Sequence, residues 1–311
     1  MQDLNDLYYF VQVVDHGGFA PAARAIGEQK SKLSRRIAAL EDRLGARLIQ
    51  RTSRRFAVTD VGVEYYSHCR AMLIEAEAAQ AVIDSAAAGP RGLIRLACPP
   101  GLVAYQMARL IAGFMVKYPE VRVQLDSTTR RVDVVAEGFD LAIRVRPPPL
   151  EETELIMRKL DESVHRLVAA PQLVDRFEIP TGPADLGAWP SVDFGPARED
   201  HQWSLRGPNG KTAVVRHYPR LVTDDLGMLQ SAVRDGLGVG LLPTIAVFDD
   251  LKAGRLVDLL PDWRPRPWIV HAVYPSRRGL LPSIRLLLDH LVEGCSAQRL
   301  RLDPDKQESL L

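Results

Sequence analysis

Cysteine is scarce in this chain. Cys69, Cys98 and Cys295 are the only three among 311 residues, and their scattered spacing makes neither a disulfide framework nor a zinc site. Such usage suits a reducing cytosol. Long apolar runs are missing too: no stretch of about 18 apolar residues occurs, so no membrane span is expected. The opening residues, MQDLNDLYYFVQVV, carry no Lys or Arg ahead of their apolar positions and are acidic at Asp3 and Asp6, unlike a secretory signal peptide. The expected location is the cytoplasm. Catalytic signatures are also lacking. The seven histidines show no H-E-x-x-H spacing, and neither a G-x-S-x-G elbow nor a Walker glycine loop is present. Gly236-Leu237-Gly238-Val239-Gly240 looks like a dinucleotide fingerprint but leads into a strand instead of following one. No catalytic residue, metal or cofactor is expected. Net charge is nearly absent as well. Lys plus Arg is 40 and Asp plus Glu is 39, a net +1 that excludes a global polycation, so any nucleic-acid affinity must come from a local patch.

What is present is the balance of a globular protein, 46% hydrophobic and 25% charged residues, in a length that suggests about two domains. The charge is unevenly placed. Between Arg24 and Arg55 there are ten basic residues and three acids, a local excess of +7 that leaves −6 for the rest of the chain. A solvated helix face is the plain explanation and a phosphate-binding surface the functional one. The local pattern favours the second.

Leu4, Leu7, Tyr8, Val11 and Val14 repeat at helical spacing after an N-capping Asp3, and Gly17-Gly18 ends that helix. Pro21 suits the first position of a second helix, Ala22 to Ile26, closed by Gly27. A third helix runs from Ser31 to Leu44 and stops at Gly45. Its buried stripe is Leu33, Ile37, Leu40 and Leu44. Ser31, Lys32 and Arg35 lie away from that stripe, with Arg36 and Arg43 on one flank and Ser34 on the other. Arg47–Arg51 and Arg55–Val58 then read as a two-stranded wing around Thr52-Ser53-Arg54. This is a winged helix-turn-helix. Its third helix would enter the major groove, with Lys32 and Arg36 among its DNA-binding candidates, while Arg51, Thr52, Arg54 and Arg55 of the wing would reach phosphates. After Thr59, a proline-free helix is expected from Asp60 to about Ala88, with Val61, Tyr65, His68, Met72, Glu75, Ala79 and Val82 in 4-3 spacing. At 1.5 Å per residue it would be about 43 Å long, too long to bury itself against the first sixty residues, so a second subunit is expected along it. Ala86 to Gly92 reads as the hinge out of it.

The run FVQVVDHGGFAPAARAIG (10–27) followed by LSRRIAALEDRLGARLIQRTSRRFAVTDVG (33–62) resembles the N-terminal signature of LysR-type transcriptional regulators. The later stretch QWSLRGPNGKTAVV (202–215) is similar to the subgroup of that family that includes AphB and CrgA. The resemblance implies tetramers assembled from dimers and places the base-contacting positions on Lys30, Ser31, Ser34 and Arg35. Members usually have Ser-Gln-Pro or similar entering the recognition helix, where this chain has Gln29-Lys30-Ser31. Lysine favours guanine O6/N7 or phosphate where glutamine favours adenine, so a different half-site preference is expected.

Beyond residue 92, apolar alternation at Ile94–Cys98, Val121–Leu125 and Leu141–Val145, with an amphipathic helix Leu102–Tyr118 between the first two, predicts a mostly parallel α/β sheet. The pattern restarts with a strand at Leu167–Ala170 and a helix Pro171–Phe177, then a hairpin around Pro208-Asn209-Gly210, a helix Leu226–Gly236 and a strand Val239–Leu242. A strand Trp268–Tyr274 and a helix Leu281–Val292 complete it. The fold class is thus α/β: an all-α winged helix-turn-helix and long linker helix, then a two-lobed effector domain of periplasmic-binding-protein type, which the family resemblance also implies. The expected division is 1–60 for the DNA-binding head, 61–91 for linker and hinge, 92–295 for the effector domain and 296–311 for a flexible tail. The first lobe would be 92–161 with 267–295, the second 162–266.

Ligands in open α/β sheets sit beyond the carboxyl ends of strands. The first such end is Pro99-Pro100-Gly101-Leu102, so Pro100, Gly101 and Leu102 are candidates. Family members often place Ser or Thr here. Two prolines supply no N–H, which weakens a carboxylate clamp and favours an apolar or uncharged effector. Thr128, Thr129, Arg144, Arg146, Phe194 and Thr223 are further strand-end candidates, and Arg144 or Arg146 would hold an anion instead. The plain alternatives are helix caps for the threonines and ion pairs for the arginines. Cys98 reads as a small buried core residue rather than a redox sensor, and Trp189, Trp203, Trp263 and Trp268 as lobe packing. The expected partners are double-stranded DNA at a promoter or operator, an unidentified small-molecule effector, further copies of the chain as homodimer or homotetramer, and RNA polymerase, with no membrane. The rivals to a transcriptional regulator are a cytoplasmic small-molecule-binding protein and an enzyme with an appended DNA-binding domain.

Overall fold

The computed structural model describes residues 3–51, 56–150, 153–196, 200–275 and 280–302. The chain divides into two compact units at Gly89–Pro90.

The first unit contains α1 (Leu4–Asp15), α2 (Phe19–Ile26), α3 (Lys30–Leu44), the strands β1 (Ile49–Arg51) and β2 (Phe56–Val58), and α4 (Asp60–Ala88). Asp3 caps α1 by accepting from the Asn5 N–H at 3.0 Å. α2 begins at Phe19, so Pro21 is its third residue and not its first; the position still lies in the first turn, where N–H groups have no intrahelical partner. α3 begins one residue earlier than expected, at Lys30, and Gly45 closes it in the left-handed conformation at φ 64°. Leu33, Ile37 and Leu40 are buried in one cluster with Leu7, Phe10 and Val11 of α1, while Leu44 packs at its edge. β1 and β2 pair antiparallel, Ile49 opposite Val58, as the two strands of a wing.

Thr59 caps α4, its Oγ1 accepting from the Gly62 N–H at 2.9 Å. Two faces of α4 separate in this unit. Tyr66 and Cys69 are buried in the α1–α3 core, Tyr65 and Leu73 pack on it, and the Tyr66 hydroxyl donates to Asp15 at 2.5 Å. Val61 (55% exposed), His68 and Met72 (46%) face away from that core. Of the expected 4-3 row, Val61, His68 and Met72 are thus unburied within this unit and Tyr65 packs on the core; the side chains of Glu75, Ala79 and Val82 lie outside the described residues.

The second unit carries two lobes. The first lobe is a five-stranded sheet in the order β4-β3-β5-β14-β6. Its strands are β3 (Gly92–Cys98), β4 (Val121–Ser127), β5 (Leu141–Arg146), β6 (Ile156–Ser163) and β14 (Trp268–Tyr274). β3 is parallel to β4 and β5, and β14 is antiparallel to both its neighbours. Between β3 and β4 lie α5 (Pro100–Leu102), a π-helical segment Val103–Met107, and α6 (Ala108–Lys117). β6 was not anticipated: Arg158, Lys159, Asp161 and Glu162 interrupt its apolar pattern because it lies at the sheet edge.

The second lobe spans β7 (His165–Ala169), α7 (Pro171–Val174), β8 (Ser191–Phe194), β9 (His201–Arg206), β10 (Thr212–His217), β11 (Pro219–Thr223), α8 (Leu226–Arg234), β12 (Gly240–Pro243), α9 (Thr244–Lys252) and β13 (Val257–Asp258). Its sheets are β12-β7-β13, β11-β8 and β10-β9. There β8 pairs in parallel with β11 and, through Ser191 and Val239, with the approach to β12, while β7–β12, β7–β13 and β9–β10 are antiparallel, so the second lobe is mixed. Trp189 and Trp203 are buried, Trp263 packs on the same cluster, and Trp268 packs at a tilt against His165 with ring centroids 4.8 Å apart.

The last helix, α10 (Pro282–Leu302), outlasts the sequence reading. The flexible tail expected from Ser296 is corrected: residues 296–302 are helical, because Cys295 is buried, Gln298 donates to the Gln106 carbonyl at 3.3 Å and Arg299 pairs with buried Asp161 at 3.1 Å. Residues 303–311 lie outside the described residues. Among the described residues no helix is long and apolar enough to cross a membrane.

Two outcomes test this packing. A Cβ at Gly62 would lie 2.2 Å from the Leu48 carbonyl oxygen and 2.7 Å from Val58 Cγ1. Overpacking of about 1–3 kcal/mol should outweigh the helix-propensity gain of about 1 kcal/mol, so Gly62→Ala lowers the urea midpoint; a raised midpoint refutes the contact. His165 and His217 are buried and held down at about 4 by loss of solvation. Neutral in the fold, they favour protons only when unfolded. Their stabilisation is complete above pH 6.5 and declines as pH falls toward 4, by about 2–3 kcal/mol per histidine. Unfolding midpoints at pH 7 and 4.5 should show this loss, smaller in His165→Phe.

Candidate nucleic-acid interface and effector cleft

On α3 Lys30, Ser31 and Arg35 are exposed, as are Ala39, Asp42 and Arg43 toward its end, with Lys32, Ser34 and Arg36 half-buried. The unit's carboxylates sort these cations. Lys32 Nζ lies 2.6 Å from Glu28 and over the Tyr9 ring at 5.5 Å, and the Tyr9 hydroxyl also donates to Glu28. The ion pair pulls the Glu28 carboxyl below its ordinary range and raises Lys32. Arg36 bridges Asp3 and buried Asp6, and Arg43 joins Asp6 at 2.5 Å. Arg47 pairs with buried Glu41 at 3.1 Å. Among the described residues, no carboxylate engages Lys30 or Arg35.

Glu41 also places the wing. Its Oε1 accepts from the backbone N–H groups of Leu48 and Ile49 at 2.9 and 3.0 Å, so the end of α3 holds the start of β1. Sequence reasoning passed over it because an acid on a charged helix reads as solvated. Arg51 stands in β1 opposite Phe56. Its side chain, and Thr52, Arg54 and Arg55 altogether, lie outside the described residues.

In the second unit, four effector candidates converge. Thr128, Thr129, Arg144 and Arg146 line one recess with Cys98, Pro99, Arg130 and Arg131, enclosing about 20 Å³, room for about one water. The Thr128 N–H donates to the Cys98 carbonyl at 3.1 Å, seating the β4 end beside the β3 end. Arg144 donates to the Val132 carbonyl at 3.1 Å and Arg146 to its neighbour Val145 at 2.9 Å. Arg130 forms a two-pronged pair with Glu137, whose carboxyl it pulls down to about 2. Arg130 and Arg131 were not anticipated; they follow Thr128-Thr129 directly, so extending the strand-end rule by two residues would have found them.

Pro100, Gly101 and Leu102 do not line this recess. They stand at the seam between lobes, where a Cβ on Gly101 would meet Leu226 at 2.9 Å. Phe194, 37% exposed, pairs with Thr223 across β8 and β11. The Thr223 hydroxyl accepts from the Asp225 N–H at 3.1 Å, while Asp225 itself caps α8 by accepting from the Met228 N–H. The Thr129 hydroxyl donates across the seam to Asp224 at 3.1 Å, and the Tyr105 hydroxyl to Gln230 at 2.5 Å. Gln230 in turn donates to buried Asp250, which also holds Arg234 and Arg255. No sequence signal marked Tyr105, Asp224 or Gln230, because partners more than 90 residues apart leave no local pattern. Burial pushes the Cys98 thiol above its ordinary range, which suppresses the reactive thiolate.

Known proteins resemble both units. Residues 4–63 match the family model described as "Bacterial regulatory helix-turn-helix protein, lysR family", and residues 87–296 match "LysR substrate binding domain". The chain is 31% identical to an HTH-type transcriptional regulator of Xanthomonas campestris pv. campestris, over 97% of this chain and 87% of that one. It is similar to the full-length structure of AphB, a virulence activator of Vibrio cholerae, at 28% identity and a TM-score of 0.58, covering 94% of this chain and 99% of that one. It is also similar to CrgA of Neisseria meningitidis, at 26% identity and a TM-score of 0.59 over the same shares of the two chains. The chain belongs to the LysR family of DNA-binding transcriptional regulators.

Proposed function

We propose that this regulator reads its operator through Lys30, Ser31, Ser34 and Arg35, and that Lys32 and Arg36 chiefly fix the recognition helix within its own domain. The observation that carries this is the absence, among the described residues, of a carboxylate on Lys30 or Arg35, while Glu28, Asp3 and Asp6 engage the other two. An unpaired guanidinium on an exposed helix face can take guanine O6/N7 in two hydrogen bonds. Arg51, Thr52, Arg54 and Arg55 of the wing would add phosphate contacts without reading sequence.

The head would be residues 1–60, the linker and hinge 61–91, and the effector domain 92–302, its lobes 92–161 with 267–302 and 162–266. The exposed row Val61, His68 and Met72 supports a homodimer through α4, with a tetramer as the next assembly. The effector would be a small anion: Arg144 and Arg146 face the recess, and the prolines at the α5 start leave the sheet side to supply the donors. With room for about one water, its entry requires the Thr129–Asp224 contact to part, moving one lobe against the other. Such coupling is worth about 1–3 kcal/mol and would act by changing the spacing of half-sites, which lie about one helical turn or multiples apart. Action in the cytoplasm beside RNA polymerase, without catalysis, completes the reading.

Arg35→Ala should lose preference for the specific site more than general DNA affinity, read by competition between genomic fragments; equal losses would make Arg35 a phosphate contact. Arg36→Ala should instead lower the melting temperature and leave the salt dependence of binding near wild type. Met72→Asp should give a monomer by light scattering, its helical circular dichroism retained. A persistent dimer would move the interface off this row.

A further inference from the structure

The hairpin of β9 and β10 takes no part in reading DNA through α3 or in the effector recess. From His201 to Thr223 the chain carries Arg206, Lys211, Arg216 and Arg220 and no carboxylate; Asp200 and Asp224 stand just outside the two ends. All four cations are exposed, and among the described residues no carboxylate pairs with them. In register across the ribbon, Gln202 lies opposite Arg216, Ser204 opposite Val214 and Arg206 opposite Thr212. These six share the exposed face.

The ribbon is a rigid platform. Its other face buries Trp203, Leu205 and Val215 in the second lobe's core. His201 meets Asp193 at 2.6 Å and His217 meets Ser191 at 2.9 Å, tying its open end to β8. Paired backbone bonds between Arg206 and Arg264 hold the end nearer the turn.

We infer that this ribbon is a second phosphate-binding surface, which grips the backbone of duplex DNA outside the half-sites read by α3. Arg, Lys, Ser, Thr and Gln are the side chains that contact phosphate oxygens. Alternate residues of a strand repeat every ~6.8 Å, about two 3.4 Å axial steps of one DNA strand. A protein partner would call for an apolar centre, and on this face Val214 is the only apolar side chain among the six. A backbone grip here would add affinity without specificity and would make longer duplexes better ligands.

The test uses the full chain and its Arg206→Gln/Arg216→Gln/Arg220→Gln variant, with binding measured by fluorescence anisotropy across salt concentrations. On a duplex of about 80 bp the slope of log Kd against log salt should fall by about 2–3 units for each ribbon of the bound assembly that grips the duplex, near 0.9 for each phosphate that is no longer neutralised. On one of about 15 bp, too short to pass beyond one half-site, the slope should not change. Unchanged circular dichroism and melting temperature would confirm that the variant folds. A wild-type slope on the long duplex overturns the inference and leaves an acidic protein surface as the complementary occupant. An equal fall on both duplexes overturns the placement outside the half-sites. If Arg35→Ala loses site preference while the triple variant keeps its slope, DNA reading by α3 stands and the ribbon assignment alone fails.

Discussion

A buried carboxylate governs the DNA-binding unit. Asp6, on the first helix, holds Arg36 and Arg43 of the recognition helix. Removing a carboxylate from water is expensive unless it is paired and hydrogen-bonded, and two guanidinium groups reaching it from one helix fix that helix's rotation. Glu41, on the third helix itself, ties the helix end to the wing by binding Arg47 and the backbone N–H groups of Leu48 and Ile49. The third helix is therefore clamped at several points along its length, which leaves Lys30 and Arg35 outside the clamps.

The same logic organises the effector domain over longer distances. Asp250 gathers Gln230, Arg234 and Arg255, and through Gln230 reaches Tyr105 of the other lobe. Thr129 and Asp224 make a second crossing. Thr129 also lines the arginine-rich recess, which encloses about 20 Å³.

Much of the architecture is legible in the amino-acid order. Glycine and capping signals at Asp3, Gly45 and Thr59 bound helices to within a residue or two, and strict alternation locates β3, β4 and β5. Misses have physical causes. β6 is an edge strand whose charged residues hide its period. Residues 296–302 look polar enough for a tail, yet Gln298 and Arg299 are polar because their partners, the Gln106 carbonyl and Asp161, are buried polar groups. The 4-3 row on α4 is visible in the sequence, while the row that docks it (Tyr66, Cys69, Leu73) is not.

The amino-acid sequence by itself determined the fold class and the basic head, because periodicity, turn residues and local charge are short-range properties of a chain. Only the tertiary structure decided which arginines and lysines remain available. Asp3 and Asp6 lie outside the basic segment counted from the sequence, and they neutralise Arg36 and Arg43 only once the first and third helices pack side by side. Charge is counted along a chain but cancelled across space, and that difference separates a ten-cation run from the few groups left facing a partner.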